Sequence, residues 1–454
     1  MKEIISEHVT LRDFLIGAVI LILLAVFCFV AGISYIIPLI LLFTAMHMLF
    51  IRRASRKMYL QFGLLLALPM AMTATAMNYL QISPYFAPVA VSAMLTMLLF
   101  NDFHLVFIMS LVGSLLAVLA VDGSLEMALI FSVGSLTAAY SVKDARSRGT
   151  MINAGLYVAV MQIFAAMLFN ICGNRVVCPG FWAEYLRPLL VNGFLASFIT
   201  LALLKVFEIL FGVLTNFSLL ELSDFNQPLL KKMILEAPGT YHHSLVVGNM
   251  AESAADSINA NALLTRVGAY YHDIGKLEKP EYFTENQLVG GNKHDTIEPS
   301  MSKLVIINHV KRGMDMAKKY KLNPVIADFI PQHHGTSMTY FFYQKALEEA
   351  DDPSTVKEDD FRYPGPKPQR KETAIVLLAD SVEAATRSLD EPNPQKIEEV
   401  VRKIINNKFI DGQLDDCQLT LKEIDRIATT FTRVLSAMYH SRVKYPEKNP
   451  DEDD

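Results

Sequence analysis

The sequence has little charge, few cysteines and no excess of basic residues, and each shortage excludes a class of protein. Charged residues make up 19% of the 454 residues, below the roughly 25% of an average soluble domain. Lys and Arg number 41 against 46 Asp and Glu, which argues against binding of duplex DNA or RNA, because that needs a strongly basic surface. Four cysteines are too few for a disulfide scaffold, and none has the Cys-x-x-Cys spacing that is typical of a zinc site. Cys172 and Cys178 either pair on an oxidising side of a membrane or remain free thiols, and both alternatives stay open.

The charge deficit is confined to the first half of the chain. Residues 1–221 contain 12 Lys and Arg and 10 Asp and Glu, whereas residues 222–454 contain 29 and 36. The first half also contains the apolar runs of about 20 residues that a membrane-spanning helix requires. Eight candidate spans are predicted, at residues 14–33, 35–51, 59–80, 85–100, 104–121, 125–141, 151–170 and 189–214. Only residues 34–38 separate the first two spans, so one broken helix, and therefore seven spans, is the alternative count.

Basic residues cluster in the loop after span two, at residues 52–57, and in the loop after span six, at residues 143–148. The positive-inside rule places both loops in the cytoplasm. The span interiors lack the charged residues that an ion pathway requires, which favours an anchor or sensor over a transporter. The predicted domains are a cytoplasmic N-terminus at 1–13, a transmembrane module at 14–214, a cytoplasmic domain at 215–445 and an acidic tail at 446–454.

Beyond residue 221 the apolar residues recur at helical spacing, and alternating β patterns are scarce. The segments predicted as helices are 241–259, 262–272, 300–320, 324–333, 372–389, 394–408 and 420–439. The predicted fold class is therefore all-α, with a polytopic transmembrane helical bundle followed by an all-helical domain.

Histidine supplies the clearest chemical signal, because seven of the eleven histidines fall between His242 and His334. Neutral imidazole is a frequent ligand of transition metals. The candidates are His242-His243, His272-Asp273, His294-Asp295, His309, His333-His334 and Asp380. Taken singly, some of these residues have simpler explanations, such as a polar helix start, a core histidine or a turn. Asp380 lies in an apolar helix and needs a cation or donors there, and the clustering as a whole predicts a metal centre.

Five segments resemble a known family. They are Ala237–Ser244 (APGTYHHS), Gly268–Lys276 (GAYYHDIGK), Gln332–Thr336 (QHHGT), Phe361–Gln369 (FRYPGPKPQ) and Ala379–Ala385 (ADSVEAA). The His-Asp doublet resembles that of HD-domain metal-dependent phosphohydrolases. The five segments, in this order behind a membrane module, are similar to those of the seven-transmembrane HD (7TM-HD, PgpH-type) phosphodiesterases of bacteria, which hydrolyse cyclic di-AMP.

The resemblance implies a site with two divalent transition metal ions. The first ion would be held by His243, His272, Asp273 and Asp380, and the second by Asp273, His309, His333 and His334, with Asp273 bridging. Mixed histidine and carboxylate ligation suits iron or manganese. The implied reaction converts cyclic di-AMP to pApA at the bacterial inner membrane, with the HD domain in the cytoplasm. Besides this substrate, the partners considered are the lipid bilayer and a second copy of the chain in a homodimer.

Family members carry a large extracellular domain between a first span and the seven-span block, whereas here the first predicted span runs directly into the second. We therefore expect any signal to enter through the membrane module, an outer loop or a partner. Lys276 follows the doublet by three residues and is predicted to contact the scissile phosphate as a catalytic residue, beside Asp273. Weaker substrate-binding candidates are His294, Arg362, Tyr241, Tyr270 and Tyr271.

Two alternative functions remain at this point. One is an HD hydrolase that acts on another nucleotide, either cyclic di-GMP or a guanosine alarmone. A Gly-Tyr-Pro signature typical of cyclic di-GMP enzymes is absent after the doublet, and the alarmone hydrolases need only one metal ion. The other alternative is a membrane receptor whose HD domain only binds nucleotide, which the complete set of ligand residues disfavours.

Overall fold

The computed structural model describes residues 56–172, 179–287, 293–390 and 392–439. Outside these residues lie the N-terminus, the first two predicted spans, Cys178 and the acidic tail. The predicted number of spans, seven or eight, and the pairing of Cys172 with Cys178 therefore fall outside the described residues. The described residues form helices and no β-strand, apart from an isolated bridge between Met338 and Arg362. The predicted all-α class is confirmed.

Contacts divide the chain into two compact units between Phe217 and Ser218, close to the predicted boundary at residue 215. The longer α-helices of the first unit are α1 (Arg56–Ala74), α2 (Ala90–Phe100), α3 (Phe103–Leu119), α4 (Leu125–Val142), α5 (Arg148–Cys172) and α6 (Arg187–Phe211). Two π-helical segments adjoin them, Thr75–Tyr79 after α1 and Trp182–Leu186 before α6.

Six apolar helical stretches correspond to the predicted spans three to eight. Four are long and apolar enough to cross a membrane, namely Leu60–Tyr79, Leu125–Val142, Arg148–Cys172 and Trp182–Phe211. The other two, Pro84–Phe100 and Phe103–Leu119, are shorter. Side-chain caps define where two of the helices begin, because Asp102 accepts a hydrogen bond from Leu105 N and Ser124 accepts one from Met127 N.

Helices α5 and α6 approach each other at glycines. A Cβ atom on Gly155 would lie 2.6 Å from the Gly193 carbonyl oxygen and 2.5 Å from Ser197 Oγ. Only a residue without a side chain permits this distance between the two backbones, which is the usual way for membrane helices to pack closely.

The second unit contains eleven helices among the described residues. They are α7 (Asn216–Leu222, which crosses the boundary), α8 (Pro228–Glu236), α9 (Pro238–Ser257), α10 (Ala262–Tyr271), α11 (Pro299–Lys319), α12 (Pro324–Ala327), α13 (Phe329–Gln332), α14 (Tyr340–Glu349), α15 (Lys371–Arg387), α16 (Pro394–Ile410) and α17 (Leu421–Met438). Helices α7, α8 and α14 are not among the helices that the sequence predicted. The prediction of one helix over residues 324–333 is wrong, because the chain breaks at Asp328. Pro331 explains the break, since it has no N–H to donate to the Ala327 carbonyl of a continuous helix.

Two sets of helix contacts position the site. Helix α9 contacts α10, α15 and α17, while α11 contacts α13, α14 and the 3₁₀ segment Ile274–Glu278. The centre of α15 is buried on most sides, so a polar side chain there faces neighbouring helices rather than water. The N-terminus of α17 is fixed by a reciprocal cap, in which Glu423 N donates to Thr420 Oγ1 and Thr420 N donates to the Glu423 carboxylate.

Candidate metal centre

The structure resolves which histidine of the first doublet faces inward. His243 lies on the side of α9 that contacts α15 and is 4% exposed, whereas His242 is exposed to solvent. On the facing side of α15, Asp380 and Glu383 stand three residues apart and both are buried. Residues three apart share one face of a helix, so both carboxylates reach the same imidazole.

The His272-Asp273 doublet lies where α10 ends, at Tyr271, and not inside a continuing helix. The next residues form a 3₁₀ segment that packs tightly against α11. A Cβ atom on Gly275 would overlap the His309 carbonyl oxygen and lie 2.6 Å from Gly313 N. Glycine therefore permits the contact that brings Asp273 and His309 together.

The first group of possible ligands comprises His243, His272, Asp273 and Asp380. One ligand atom from each lies within 4.8 Å of the others. His243 Nε2 is 2.9 Å from Asp380 Oδ1 and 3.7 Å from Asp273 Oδ2. His272 Nε2 is 3.2 Å from Asp273 Oδ2 and 3.7 Å from Asp380 Oδ1. One atom of each residue therefore lies close enough to the others for all four to be ligands of one ion.

The second group comprises Asp273, His309, His333 and His334, again with ligand atoms within 4.8 Å of one another. Asp273 Oδ1 lies 3.4 Å from His309 Nε2 and 3.5 Å from His333 Nε2. The two oxygens of Asp273 therefore face different groups, Oδ2 the first and Oδ1 the second. A carboxylate with this orientation is suited to bridge two ions.

In four of these histidines, the ring nitrogen Nδ1 donates a hydrogen bond to a protein acceptor. His243 Nδ1 donates to Glu383 Oε2 at 2.7 Å, and His272 Nδ1 donates to the Ala269 carbonyl at 2.6 Å. The remaining two, His309 and His333, donate to main-chain carbonyls one turn earlier. These contacts direct Nε2 of each ring at the centre, which is the arrangement typical of metal-ligating histidines.

Among the described residues, three buried atoms at the centre make no hydrogen bond, namely His272 Nε2 and both carboxylate oxygens of Asp273, although Oδ2 forms an ion pair with Lys276. Buried polar atoms are nearly always paired. A cation would satisfy these atoms, so the residues present fit divalent metal ions.

The first group has a high affinity for protons. Burial lowers the pKa of His243, but hydrogen bonds to Asp380 and Glu383 outweigh it and raise the pKa to about 9. Burial likewise opposes protonation of His272, and the charge of Asp273 raises its pKa to about 10. A metal ion that binds here therefore has to displace protons.

The second group has the opposite tendency. Burial lowers the pKa of His309 to about 4 and holds that of His334 well below its ordinary value. Burial raises the pKa of Asp273, but His272 and Lys276 outweigh it and hold the pKa well below its usual range. His309 and His334 are therefore neutral at pH 7, which is the form of histidine that binds a metal ion.

Lys276 contacts Asp273 although the helix does not continue as far as this lysine. Its Nζ lies 2.7 Å from Asp273 Oδ2 and 2.7 Å from Glu285 Oε1. Burial lowers the pKa of Lys276, but the two carboxylates outweigh it and raise the pKa above its ordinary value. Glu285 also accepts a hydrogen bond from Thr240 Oγ1 at 3.3 Å, so the loop before α11 is tied to the start of α9.

Three residues at the site were not singled out from the sequence. Glu383 and Glu285 hold His243 and Lys276, and the Tyr363 ring stacks on His334 with 4.1 Å between ring centroids and 22° between planes. Glu383 and Tyr363 lie within the two family-like segments that contain Asp380 and Arg362, so those segments were the available signal.

The weaker substrate candidates have other contacts. His294 Nε2 donates to the Tyr282 carbonyl at 2.8 Å. Arg362 forms ion pairs with Glu358 and Asp411 and donates to the Thr336 carbonyl. Their role in substrate binding remains a prediction.

The three tyrosines pack within the domain. The ring of Tyr241 meets that of Phe225 edge-on, Tyr270 packs against the same Phe225 ring, and the buried Tyr271 donates its hydroxyl to the Leu222 carbonyl. These contacts explain each tyrosine as part of the core, and a stacking role on a base remains a prediction.

Two models of known protein families match this chain, one in each half. Residues 14–215 match the model of the 7TM receptor with intracellular HD hydrolase, and residues 240–385 match the HD domain. The first match and the apolar helices identify a membrane protein. The HD domain, together with the two histidine and aspartate groups, indicates binding of divalent metal ions.

Two curated relatives are similar over most of the chain. The cyclic-di-AMP phosphodiesterase PgpH of Bacillus subtilis is 41% identical over 368 residues, which are 80% of this chain and 51% of that protein. PgpH of Listeria monocytogenes is 40% identical over 326 residues, which are 72% and 45%. The chain spans about half the length of these relatives.

Two crystal structures of the L. monocytogenes PgpH HD domain also match, one of them in complex with cyclic-di-AMP. They are 50% and 49% identical and cover 47% and 48% of this chain and 100% of their own, with TM-scores of 0.45 and 0.46. The two family models cover most of the chain in the order that the motifs predicted, and the chain therefore belongs to the seven-transmembrane HD-domain family.

Proposed function

We propose that this protein is a membrane-anchored, metal-dependent phosphodiesterase that hydrolyses cyclic di-AMP to pApA. The observation that carries the proposal is the position of Asp273, whose two carboxylate oxygens face two separate groups of buried histidines. The activity named for the two curated relatives supports the choice of substrate.

Asp273 would bridge two divalent ions, with His243, His272 and Asp380 on one side. The other side would be completed by His309, His333 and His334. When bound, the two ions supply the positive charge that polarises a phosphodiester and activates a water molecule for attack. Iron or manganese suits ligands of this mixed type better than zinc does.

The chain's own residues orient the reactants. Glu383 fixes the ring of His243, and the tight contact at Gly275 fixes Asp273 against α11. Lys276 places a positive charge beside Asp273 and is held there by Glu285. We assign Lys276 the role of stabilising the charge that develops on the scissile phosphate.

The proposal includes the topology predicted from the basic loops. The membrane module would lie in the bacterial inner membrane, surrounded by lipid, with the HD domain in the cytoplasm. A reporter fused after Lys57 tests this assignment, since an alkaline phosphatase fusion should be inactive and a green fluorescent protein fusion bright. Activity of the phosphatase fusion would contradict it.

The test of the substrate uses the purified full chain in detergent, loaded with Mn(II) or Fe(II). Cyclic di-AMP, cyclic di-GMP and ppGpp are offered in parallel, and the products are separated by chromatography. We expect pApA from cyclic di-AMP at a rate at least tenfold above the other two. A chain with a filled metal site that cleaves none of the three would refute the enzyme assignment, and preference for another nucleotide would refute the substrate.

A further inference from the structure

Lys408, on α16, is a partly buried cation whose Nζ donates to Ser337 Oγ at 2.7 Å. Within the described part of the chain, no carboxylate lies within ion-pair distance of this ammonium group. By contrast, Lys276, Lys367 and Lys371 each contact a carboxylate. A buried charge is costly unless it is paired, so the missing partner of Lys408 needs an explanation.

Ser337 connects Lys408 to the second group of possible metal ligands. Its N–H donates to the His334 carbonyl at 3.0 Å, and its own carbonyl accepts from Tyr363 N at 3.0 Å. The Tyr363 ring in turn stacks on the imidazole of His334. Lys408, Ser337 and Tyr363 are therefore linked by contacts that lead to His334.

Burial is the largest electrostatic effect on Lys408. It holds the pKa of this lysine below its ordinary value, although the charges of Asp380 and Asp411 raise it. Asp411 is already committed, because its carboxylate pairs with Arg362 and accepts from Gln413 Nε2 at 2.9 Å. Asp380 belongs to the metal centre. A ligand phosphate would therefore supply the counter-charge that the protein does not.

A cyclic dinucleotide carries two phosphodiester groups, and hydrolysis to a linear product cleaves only one of them. The scissile group has to approach Asp273 and its histidines. The second group remains attached to the same ring and needs a cation close to, but outside, that centre. Lys408 meets both conditions, because Ser337, which accepts its hydrogen bond, donates its own N–H to the His334 carbonyl.

We propose that Lys408 binds the non-scissile phosphate of the cyclic dinucleotide and so selects substrates with two phosphate groups. The inference rests on the proposed function and adds to it a residue that determines specificity. An arginine with two parallel hydrogen bonds is not required, because the lysine ammonium group binds phosphate as a point charge.

The experiment compares two substrates on the full chain in detergent, loaded with Mn(II). Cyclic di-AMP has two phosphates, whereas bis(p-nitrophenyl) phosphate has one. For Lys408→Met we expect the KM for cyclic di-AMP to rise roughly 10- to 100-fold, the range for loss of a charged hydrogen bond, with kcat within threefold. Kinetics with bis(p-nitrophenyl) phosphate should be unchanged. Lys408→Arg should restore most of the affinity.

Lys403→Met is the matched control, because Lys403 lies on the same helix and is exposed. Lys408→Gln removes the charge but keeps a donor for Ser337, so it replaces the methionine variant if that protein folds poorly. Metal content and melting temperature are measured for every variant and should match the wild type.

Three results overturn the inference. An unchanged KM for cyclic di-AMP in both uncharged variants shows that the charge is not used. An equal loss with both substrates shows that Lys408 only supports the fold or the metal centre. A wild type that cleaves bis(p-nitrophenyl) phosphate but no dinucleotide refutes the proposed function itself, and the inference falls with it.

Discussion

Replacing Glu383 by alanine tests whether the buried carboxylate behind His243 sets the affinity for metal. Glu383 Oε2 accepts the His243 Nδ1 proton at 2.7 Å, and both side chains are almost completely buried, with 7% and 4% exposed. The alanine variant leaves a buried N–H without an acceptor and allows the ring to rotate or change its tautomer.

The size of the effect follows from these contacts. Loss of the carboxylate behind a ligating histidine typically weakens metal binding by about 10- to 100-fold. An unsatisfied buried donor costs about 1–3 kcal/mol, which corresponds to a similar factor. We therefore expect the first ion to bind about 10- to 100-fold more weakly in Glu383→Ala, with the second ion less affected.

Competition against a chromophoric chelator measures this affinity directly, without reference to activity. Glu383→Gln keeps an acceptor oxygen and should lose less than the alanine variant. Glu372→Gln is a suitable control, because Glu372 lies on the same helix and accepts a hydrogen bond from Asn261 N. Affinity of Glu383→Ala within twofold of the wild type would refute the role of Glu383.

Three further predictions follow from the structure. The Cβ atom of Gly275→Ala would overlap the backbone of α11. We expect turnover to fall at least about 100-fold, as for a displacement of about 1 Å at a reacting centre. Normal turnover would show that the close contact at Gly275 does not position the site. Binding of the first ion at pH 7 should release about two protons, since the pKa values of His243 and His272 are raised to about 9 and about 10; the release should vanish above pH 10, and calorimetry in buffers of different ionisation enthalpy measures it. Gly155→Leu should prevent close packing of α5 and α6, seen as aggregation in size-exclusion chromatography, whereas Gly63→Leu, at a site with open space around it, should behave as the wild type.

Helix periodicity in the second half of the chain predicted most of the helices but not their ends. The prediction was wrong at Asp328, where a proline three residues later removes a donor, although Pro331 was visible in the sequence. The helix predicted at residues 262–272 was expected to end at His272, and α10 ends one residue earlier, at Tyr271. Tertiary contact at Gly275 decides the path of the chain there, and no local pattern reports such a contact.

The structure gathers all seven predicted metal ligands into two groups that share Asp273; their ligation of metal remains a prediction. The contact between His243 and its supporting residue Glu383 was not predicted from the sequence, because the two residues are 140 positions apart. Lys408 and Ser337 are 71 residues apart and belong to no motif. Such pairs become neighbours only through the packing of distant helices.

The number of metal ions per chain tests whether Asp273 bridges two ions. The full chain, loaded with Mn(II) in detergent and freed of excess metal, is analysed by elemental mass spectrometry and by electron paramagnetic resonance. We expect two ions per wild-type chain with the spectrum of a coupled pair, and loss of both ions in Asp273→Ala. A single uncoupled ion in the wild type, or two ions retained without Asp273, would contradict this expectation.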